Sequence, residues 1–433
     1  MTTAPQTATD ERDTHTRWNF AAICGESASF QAGMVWADPF TVVAQFIGLL
    51  GGSTVLVGLL QFLQRVGYML PQLPMAAIVG HRPRRRPYLR WGVLIFRLPF
   101  IAFVVYLWRA GVARPEVVLP FMLFAYFSVS FGNGVVALPW QDIIAKSIPP
   151  SIRGRFFGTM QFATAAAGFA IGFAVQYFLG PRGLAYPANY VLLFFLAAVF
   201  FTGSTVGCWL MREPVRPVLE QPERLREIVA GVPRFLREEG RFRNLVLVSM
   251  LGTGLTLTRP FFTVYAVQRL GLAPQTVGLF IIAATLGGAL FSLLWGHLND
   301  TRGPRTPIRW CASLIFLTPL LALALPPLTR GLEAWWGCRG ALLPYSFATV
   351  FLVAGASANG LWIATNNYLF DLASHEERPR YIAILATLAA PGALIPVVVG
   401  KLLESLSYPV VFGLMALVGA WVCLLARRLP ESR

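Results

Sequence analysis

Charge is what this chain has least of. Only 13% of its 433 residues are Asp, Glu, Lys or Arg, and the acids are the scarcer sign, 20 against 36 Lys and Arg. A water-exposed surface needs roughly twice that charged fraction, so a soluble globular protein of this length is excluded. Histidine is almost missing, with 4 residues, and the five cysteines (Cys24, Cys208, Cys311, Cys338, Cys423) stand far apart. None of the paired spacings of a disulfide or metal framework is present, so neither a metal nor a cofactor is expected. The N-terminal stretch carries Asp10, Glu11 and Asp13; it lacks the basic-then-apolar order of a signal peptide.

What fills the space is apolar. The hydrophobic fraction is 56% and the mean hydropathy +0.60. A bilayer-spanning helix needs about 20 apolar residues, and twelve runs meet that need: 20–44, 53–79, 91–108, 117–140, 156–179 and 190–211, then 244–267, 277–295, 308–325, 342–370, 381–402 and 410–426. The net charge of +16 would favour nucleic acid if the basic residues shared a solvated face. They sit instead in short turns between apolar runs, so lipid is the expected partner and nucleic acid is not. Arg82, Arg84, Arg85, Arg86 and Arg90, then Lys146, Arg153 and Arg155, fall on one side together with the central basic loop. The positive-inside rule places that side, and both termini, in the cytoplasm.

The second half echoes the first. Pro87-Tyr88-Leu89-Arg90-Trp91 returns as Pro307-Ile308-Arg309-Trp310, Asn133-Gly134 as Asn359-Gly360, and Arg153-Gly154-Arg155-Phe156 as Arg378-Pro379-Arg380-Tyr381. A doubled bundle holds its substrate near the bilayer midplane where the copies meet. The expected organisation is a tail over 1–19, a six-helix bundle over 20–211, a cytoplasmic loop over 212–243, a second bundle over 244–427 and a short tail over 428–433. In the loop, Leu225, Ile228, Val229, Val232 and Leu236 recur at helical spacing among charges, as an amphipathic helix or a solvated linker would.

Gly296, Asp300, Gly303 and Arg305 form the turn Gly-x-x-x-Asp-x-x-Gly-x-Arg, and Gly80 with Arg84, Arg85 and Arg86 forms a first copy without its Asp. With twelve spans in two halves, these residues resemble the major facilitator superfamily. Leu138-Pro139-Trp140-Gln141-Asp142, Arg153-Gly154-Arg155-Phe156-Phe157-Gly158 and Trp362-Ile363-Ala364-Thr365-Asn366-Asn367 resemble an uncharacterised bacterial branch of it. The resemblance implies an all-α membrane protein of two pseudo-symmetric six-helix bundles, and secondary transport of a small molecule by alternating access. It also implies that spans one, four, seven and ten line the cavity. That points to Glu26, Asn133, Arg259, Asn359, Trp362 and Asn366.

Buried charges refine the expectation, since a charge at mid-bilayer costs at least about 2.5 kcal/mol without a partner. Glu26 lies about 9 Å along the first span, and Arg65 sits on a polar stripe with Gln61, Gln64, Tyr68 and Gln72. Glu26 is expected to pair with Arg65 and to carry a coupling proton, or to form a static ion pair. Arg65 and Gln72 would face solute. Arg259, followed by the helix-breaking Pro260, would attract an anionic group, unless it pairs with Asp38. Arg97 is expected to snorkel. At the turns, Asp142 with Arg153 or Arg155 forms a gating latch, and Asp371 with Arg378 or Arg380 its mirror. Efflux of amphipathic drugs or lipids is the rival within transporters. A sensor or an intramembrane enzyme is the rival outside them; the enzyme is disfavoured because His15, His81, His297 and His375 lie in tails and turns, and the sensor because a soluble output domain is not expected.

Overall fold

The computed structural model describes residues 6–80, 82–214, 240–337, 340–372 and 378–431, and all regular structure among them is helical. Ten helical stretches are long and apolar enough to cross a membrane. The chain is an all-α polytopic membrane protein. The central segment expected to be amphipathic lies outside the described residues over 215–239, as do His81, Cys338 and His375.

The first two expected spans are interrupted rather than continuous. The first helix runs Gln6–Trp36, and Val42–Leu49 follows as a separate helix. Between them Asp38 Oδ1 accepts from Phe40 N and Thr41 Oγ1, both at 2.9 Å. That Asx-type turn, with a proline at 39, competes with helical hydrogen bonding. The second span divides into Thr54–Met69 and Gln72–Gly80, because Pro71 disfavours helical backbone just before it. The expected polar stripe is therefore broken: Gln72 opens a new helix, and Gln61 turns away to donate to Pro39 O at 3.1 Å. Pro260 acts as its sequence predicts. Helix Gly240–Thr256 stops, three residues turn, and Pro260–Val264 resumes, followed by a wider turn over Tyr265–Arg269.

Residues group into two compact units. The first comprises Met1–Ala37, Leu63–Ile171 and Ala185–Pro222; the second comprises Asp38–Phe62, Gly172–Leu184 and Glu223–Arg433. The second unit thus draws two stretches from the first half of the sequence.

The core of the first unit is built on Ile23, Leu89, Val93, Ile143, Phe156, Cys208 and Met211. Asn19, fully buried, staples its helix to two neighbours: its Nδ2 donates to Ser147 Oγ at 2.9 Å and Arg212 O at 2.7 Å, and its Oδ1 accepts from Arg212 N at 2.8 Å. Both Asn-Gly pairs owe their glycine to close approach. A Cβ on Gly134 would lie 2.6 Å from Pro71 Cγ, and one on Gly360 would lie 2.5 Å from Cys311 Sγ.

In the second unit Phe280 and Phe351 stack at 4.2 Å between helices Thr276–Arg302 and Leu343–Leu372. Glu333, buried, closes the turn before Leu343–Leu372 by accepting from Leu342 N at 2.7 Å and Leu343 N at 2.9 Å. Those are helix-start amides that lack partners within the helix. Trp335 and Trp336, at the end of Arg305–Trp336, stay exposed, as membrane-interface indoles do. Gly172, one of the pair Gly168 and Gly172 in helix Arg153–Phe178, packs as small-residue spacing implies. A Cβ there would lie 2.5 Å from Ile282 Cγ1 and 3.1 Å from Gly278 O.

Candidate functional site

The site begins with two glycines. Gly203 and Gly207, one turn apart on helix Ala188–Leu210, let that helix approach Gln6–Trp36. A Cβ on Gly207 would lie 2.7 Å from Glu26 Cβ, and one on Gly203 would lie 2.7 Å from Ser29 Oγ. The intervening Ser204 is thereby pressed against Glu26, and its Oγ donates to Glu26 Oε1 at 2.7 Å. The other carboxylate oxygen, Oε2, accepts from Trp140 Nε1 at 3.0 Å.

Arg97 completes the group. Its Nη2 donates to Ser204 Oγ at 3.0 Å, and its Nη1 donates to Thr205 Oγ1 at 2.8 Å and Phe201 O at 2.7 Å. The guanidinium also lies 5.6 Å from the centre of the Phe30 ring, within cation–π range. Glu26 and Arg97 are 7% and 4% exposed, so neither snorkels. One hydroxyl bridges the buried carboxylate to the buried guanidinium. The expected Glu26–Arg65 pair is not formed: no hydrogen bond or ion pair joins those residues among the described ones. Arg65 instead acts electrostatically on Tyr68 of its own helix. The glycine-driven approach of the 188–210 helix brings Ser204 to Glu26, and Arg97, on helix Arg86–Ala110, binds that same hydroxyl.

Glu26, Arg97 and Trp140 stand in the wall of a cavity of about 230 Å³. A water needs roughly 10–15 Å³ by this measure, so the space is on the scale of a small organic solute. Around it stand Gln31, Tyr68, Asn133, Gln141, Gln161 and Thr164, with Phe30 and Met160. Neutral amides, hydroxyls and aromatic faces dominate. Asn133 thus reaches the cavity as its sequence position predicts. Gln72 does not, and donates to Tyr68 O at 3.1 Å.

Arg259 lies in the second unit with a different environment. Its guanidinium sits 3.8 Å from the Phe40 ring centre, and the acidic group acting on it is Asp38. Of the alternatives open for Arg259, Asp38 is the acid that acts on it, held by its own turn. The adjacent cavity, lined by Thr256, Thr258, Ser357 and Met415 among others, measures about 20 Å³, room for about one water. Asn359 is committed to a helix seam, donating to Ser292 Oγ at 2.7 Å and Gly288 O at 3.2 Å. Asn366 donates to Trp362 O one turn back at 2.7 Å, and Trp362 is 68% exposed.

The latch residues are rearranged as well. Asp142 pairs with Arg85 at 3.1 Å and with Lys146 at 2.5 Å, not with Arg153 or Arg155. Arg153 donates to the carbonyls of Ile148 and Ala145, both at 3.1 Å, which fastens the turn between its helix and the preceding one. Arg84 and Arg155 are exposed, and Gly80 ends its helix. Glu213, which the sequence did not single out, accepts from Arg85 N at 2.9 Å, Arg86 N at 2.8 Å and Lys146 Nζ at 3.3 Å.

That side chain is 3% exposed, so Glu213→Ala leaves buried donors and a lysine without their acceptor. We expect a loss of about 3 kcal/mol, read as a lowered unfolding temperature in detergent, with Glu213→Gln losing less. In the mirror turn, Gly296 and Asp300 lie near the end of Thr276–Arg302, Asp300 exposed, while Arg305 pairs with Glu431 at 3.3 Å. Asp371 ends its own helix region, and the side chains of Arg378 and Arg380 lie outside the described residues.

A family model described as Major Facilitator Superfamily matches residues 27–347 and 245–433. This chain belongs to that superfamily. A relative in Mycobacterium tuberculosis, the uncharacterized protein Rv2209, is 26% identical over 271 residues, covering 61% of this chain and 49% of the relative. The chain spans about half the length of the curated relatives it matches. Among solved structures of the superfamily's fold, a point mutant of the nucleoside transporter NupG is similar with a TM-score of 0.71 at 11% identity, over 95% of this chain and 100% of that one. A D-xylose–proton symporter is similar with a TM-score of 0.62 at 16% identity, over 98% of each chain. At such identities the likeness is one of fold.

Proposed function

We propose that this chain is a secondary active transporter, not an enzyme, that moves a small polar solute without net charge across a bacterial inner membrane by alternating access, with both termini cytoplasmic. The observation that carries the reading is the amide-rich cavity whose wall holds Glu26 bridged to Arg97 through Ser204. The two charges offset one another, and the remaining lining offers neutral donors and acceptors that suit a hydroxylated or amide-bearing solute. An anion preference through Arg259 is weaker, because Asp38 already acts on that group and its cavity is water-sized. Glu26 is the proposed proton carrier: its carboxyl accepts from Ser27, Ser204 and Trp140, and such replaceable donors can be given up when solute or helix movement alters the pocket.

A thermal-shift screen of neutral polar solutes against acids and amphipathic drugs tests this, since a ligand of the folded state raises its apparent stability. Stabilisation by a neutral solute that disappears in Asn133→Ala and Gln161→Ala is expected. Stabilisation only by acids, abolished by Arg259→Ala and untouched by the two cavity variants, would move the site to the second unit.

A further inference from the structure

Two arginines at matching places in the sequence repeat meet different neighbours. Arg90 Nη2 donates to Trp209 O at 2.6 Å, and Arg309 Nη2 donates to Arg427 O at 2.7 Å. Trp209 and Arg427 are thus equivalents. In the first unit the Trp209 ring fills the position: it lies 5.1 Å from Arg90 and meets Trp91 edge-on at 5.8 Å. In the second unit the equivalent side chain is a guanidinium, and an open cavity of about 380 Å³ is left, lined by Arg309, Trp310, Ser313, Cys423 and Arg427.

The charges there do not balance. Arg305 and Arg427 both act on Arg309 with like sign. The carboxylate among them, Glu431, is paired with Arg305 and has an 80% exposed side chain. Arg309 and Arg305 are partly used in binding the carbonyls that end helix Tyr408–Arg427. Among the described residues no carboxylate pairs with the Arg427 head beside the opening. A membrane-face cavity with surplus guanidinium groups selects a phosphate, which accepts their planar forks.

The surroundings favour a lipid over a free ion. Leu417, Trp421 and Leu424 follow one another at helical spacing below Arg427 and are 67%, 52% and 55% exposed, and Trp310 is 57% exposed at the rim. Apolar surface leading away from a phosphate-binding head is the arrangement an acyl chain needs, and exposed indoles mark the headgroup level.

We propose that Arg309 and Arg427, with Trp310 at the rim, form a binding site for the phosphodiester headgroup of an anionic phospholipid. The site is separate from the solute cavity and does not depend on the proposed transport reading. Native mass spectrometry of the full-length protein, delipidated in detergent and titrated with phosphatidylglycerol or phosphatidylcholine, tests it. Wild type retains phosphatidylglycerol in preference to phosphatidylcholine. Arg427→Gln loses that preference about fivefold, the effect of one basic residue at a lipid surface, while Arg427→Lys keeps most of it.

A second reading comes from wild-type protein. Alkylation of Cys423, followed on its peptide, is slowed by phosphatidylglycerol and not by phosphatidylcholine. Equal retention of the two lipids, unchanged retention in Arg427→Gln, or unprotected Cys423 overturns the proposal. Full displacement of phosphatidylglycerol by millimolar inorganic phosphate overturns the lipid assignment and makes this a site for a free anion.

Discussion

Glu26→Gln is expected to abolish proton-driven accumulation of solute in proteoliposomes while leaving solute exchange across the membrane largely intact. The amide keeps the shape of the carboxyl, and its oxygen can still accept from Ser204 or Trp140, which bond the native carboxylate at 2.7 and 3.0 Å. What it loses is the ability to take up and release a proton. Accumulation against a gradient then falls to background, because the carrier cannot draw on the proton gradient.

Glu26→Ala is expected to do more damage. Both substitutions remove the counter-charge bridged to Arg97, 4% exposed, but the alanine also leaves the Ser204 and Trp140 donors without their acceptor, a further loss of about 1–3 kcal/mol. Thermal unfolding in detergent separates the two outcomes: Glu26→Gln should unfold below wild type and Glu26→Ala lower still. Glu26→Gln that still accumulates solute on a proton gradient would reduce Glu26 to a structural ion, and coupling would have to lie elsewhere.

Gly58→Leu is expected to break a contact that no side chain can share. In the second unit helices Thr54–Met69 and Ile395–Ser405 meet backbone to backbone. A Cβ on Gly58 would fall against the Pro396 carbonyl and 2.9 Å from Val397 Cα, and one on Gly400 would lie 2.5 Å from Thr54 O. Thr54 Oγ1 adds a hydrogen bond to Gly400 O at 2.7 Å. Backbone cannot yield as a flexible side chain can, so overpacking here costs about 1–3 kcal/mol. That much changes the ratio of two states at least about fivefold.

If the transport cycle opens and closes this seam, Gly58→Leu biases it open. Transport then falls, and a cysteine placed at Thr54 reacts faster with a membrane-impermeant thiol reagent. Unchanged transport with unchanged labelling would show that the contact accommodates the side chain, and the prediction would fail.

The repeat, the apolar runs and the turn residues made the fold readable before any coordinates, because hydrophobic length is the main constraint a bilayer imposes. Pro260 likewise announced its break. Polar partnerships were less legible. Glu26 reads as a buried acid, but the residue it meets is Ser204 and not Arg65, which stands on the next span of the sequence. The signal that was available was Gly203 and Gly207 bracketing Ser204, the spacing of closely packed helices. Asp142 reads as a turn anchor, yet Arg85 and Lys146 bind it instead of Arg153 and Arg155, and Glu213 joins through Lys146. A sequence lists which cations lie near a turn; it does not say which of several arginines, each with a long side chain, reaches the acid.

By itself the sequence determined that this chain lives in a membrane, that it is helical, and that its few buried charges matter, since composition and hydropathy act residue by residue. Only tertiary structure decided which charge meets which. Glycine contacts set how closely two helices approach, and that distance, not spacing along the chain, put Ser204 between Glu26 and Arg97 and gave Arg259 an aspartate of its own.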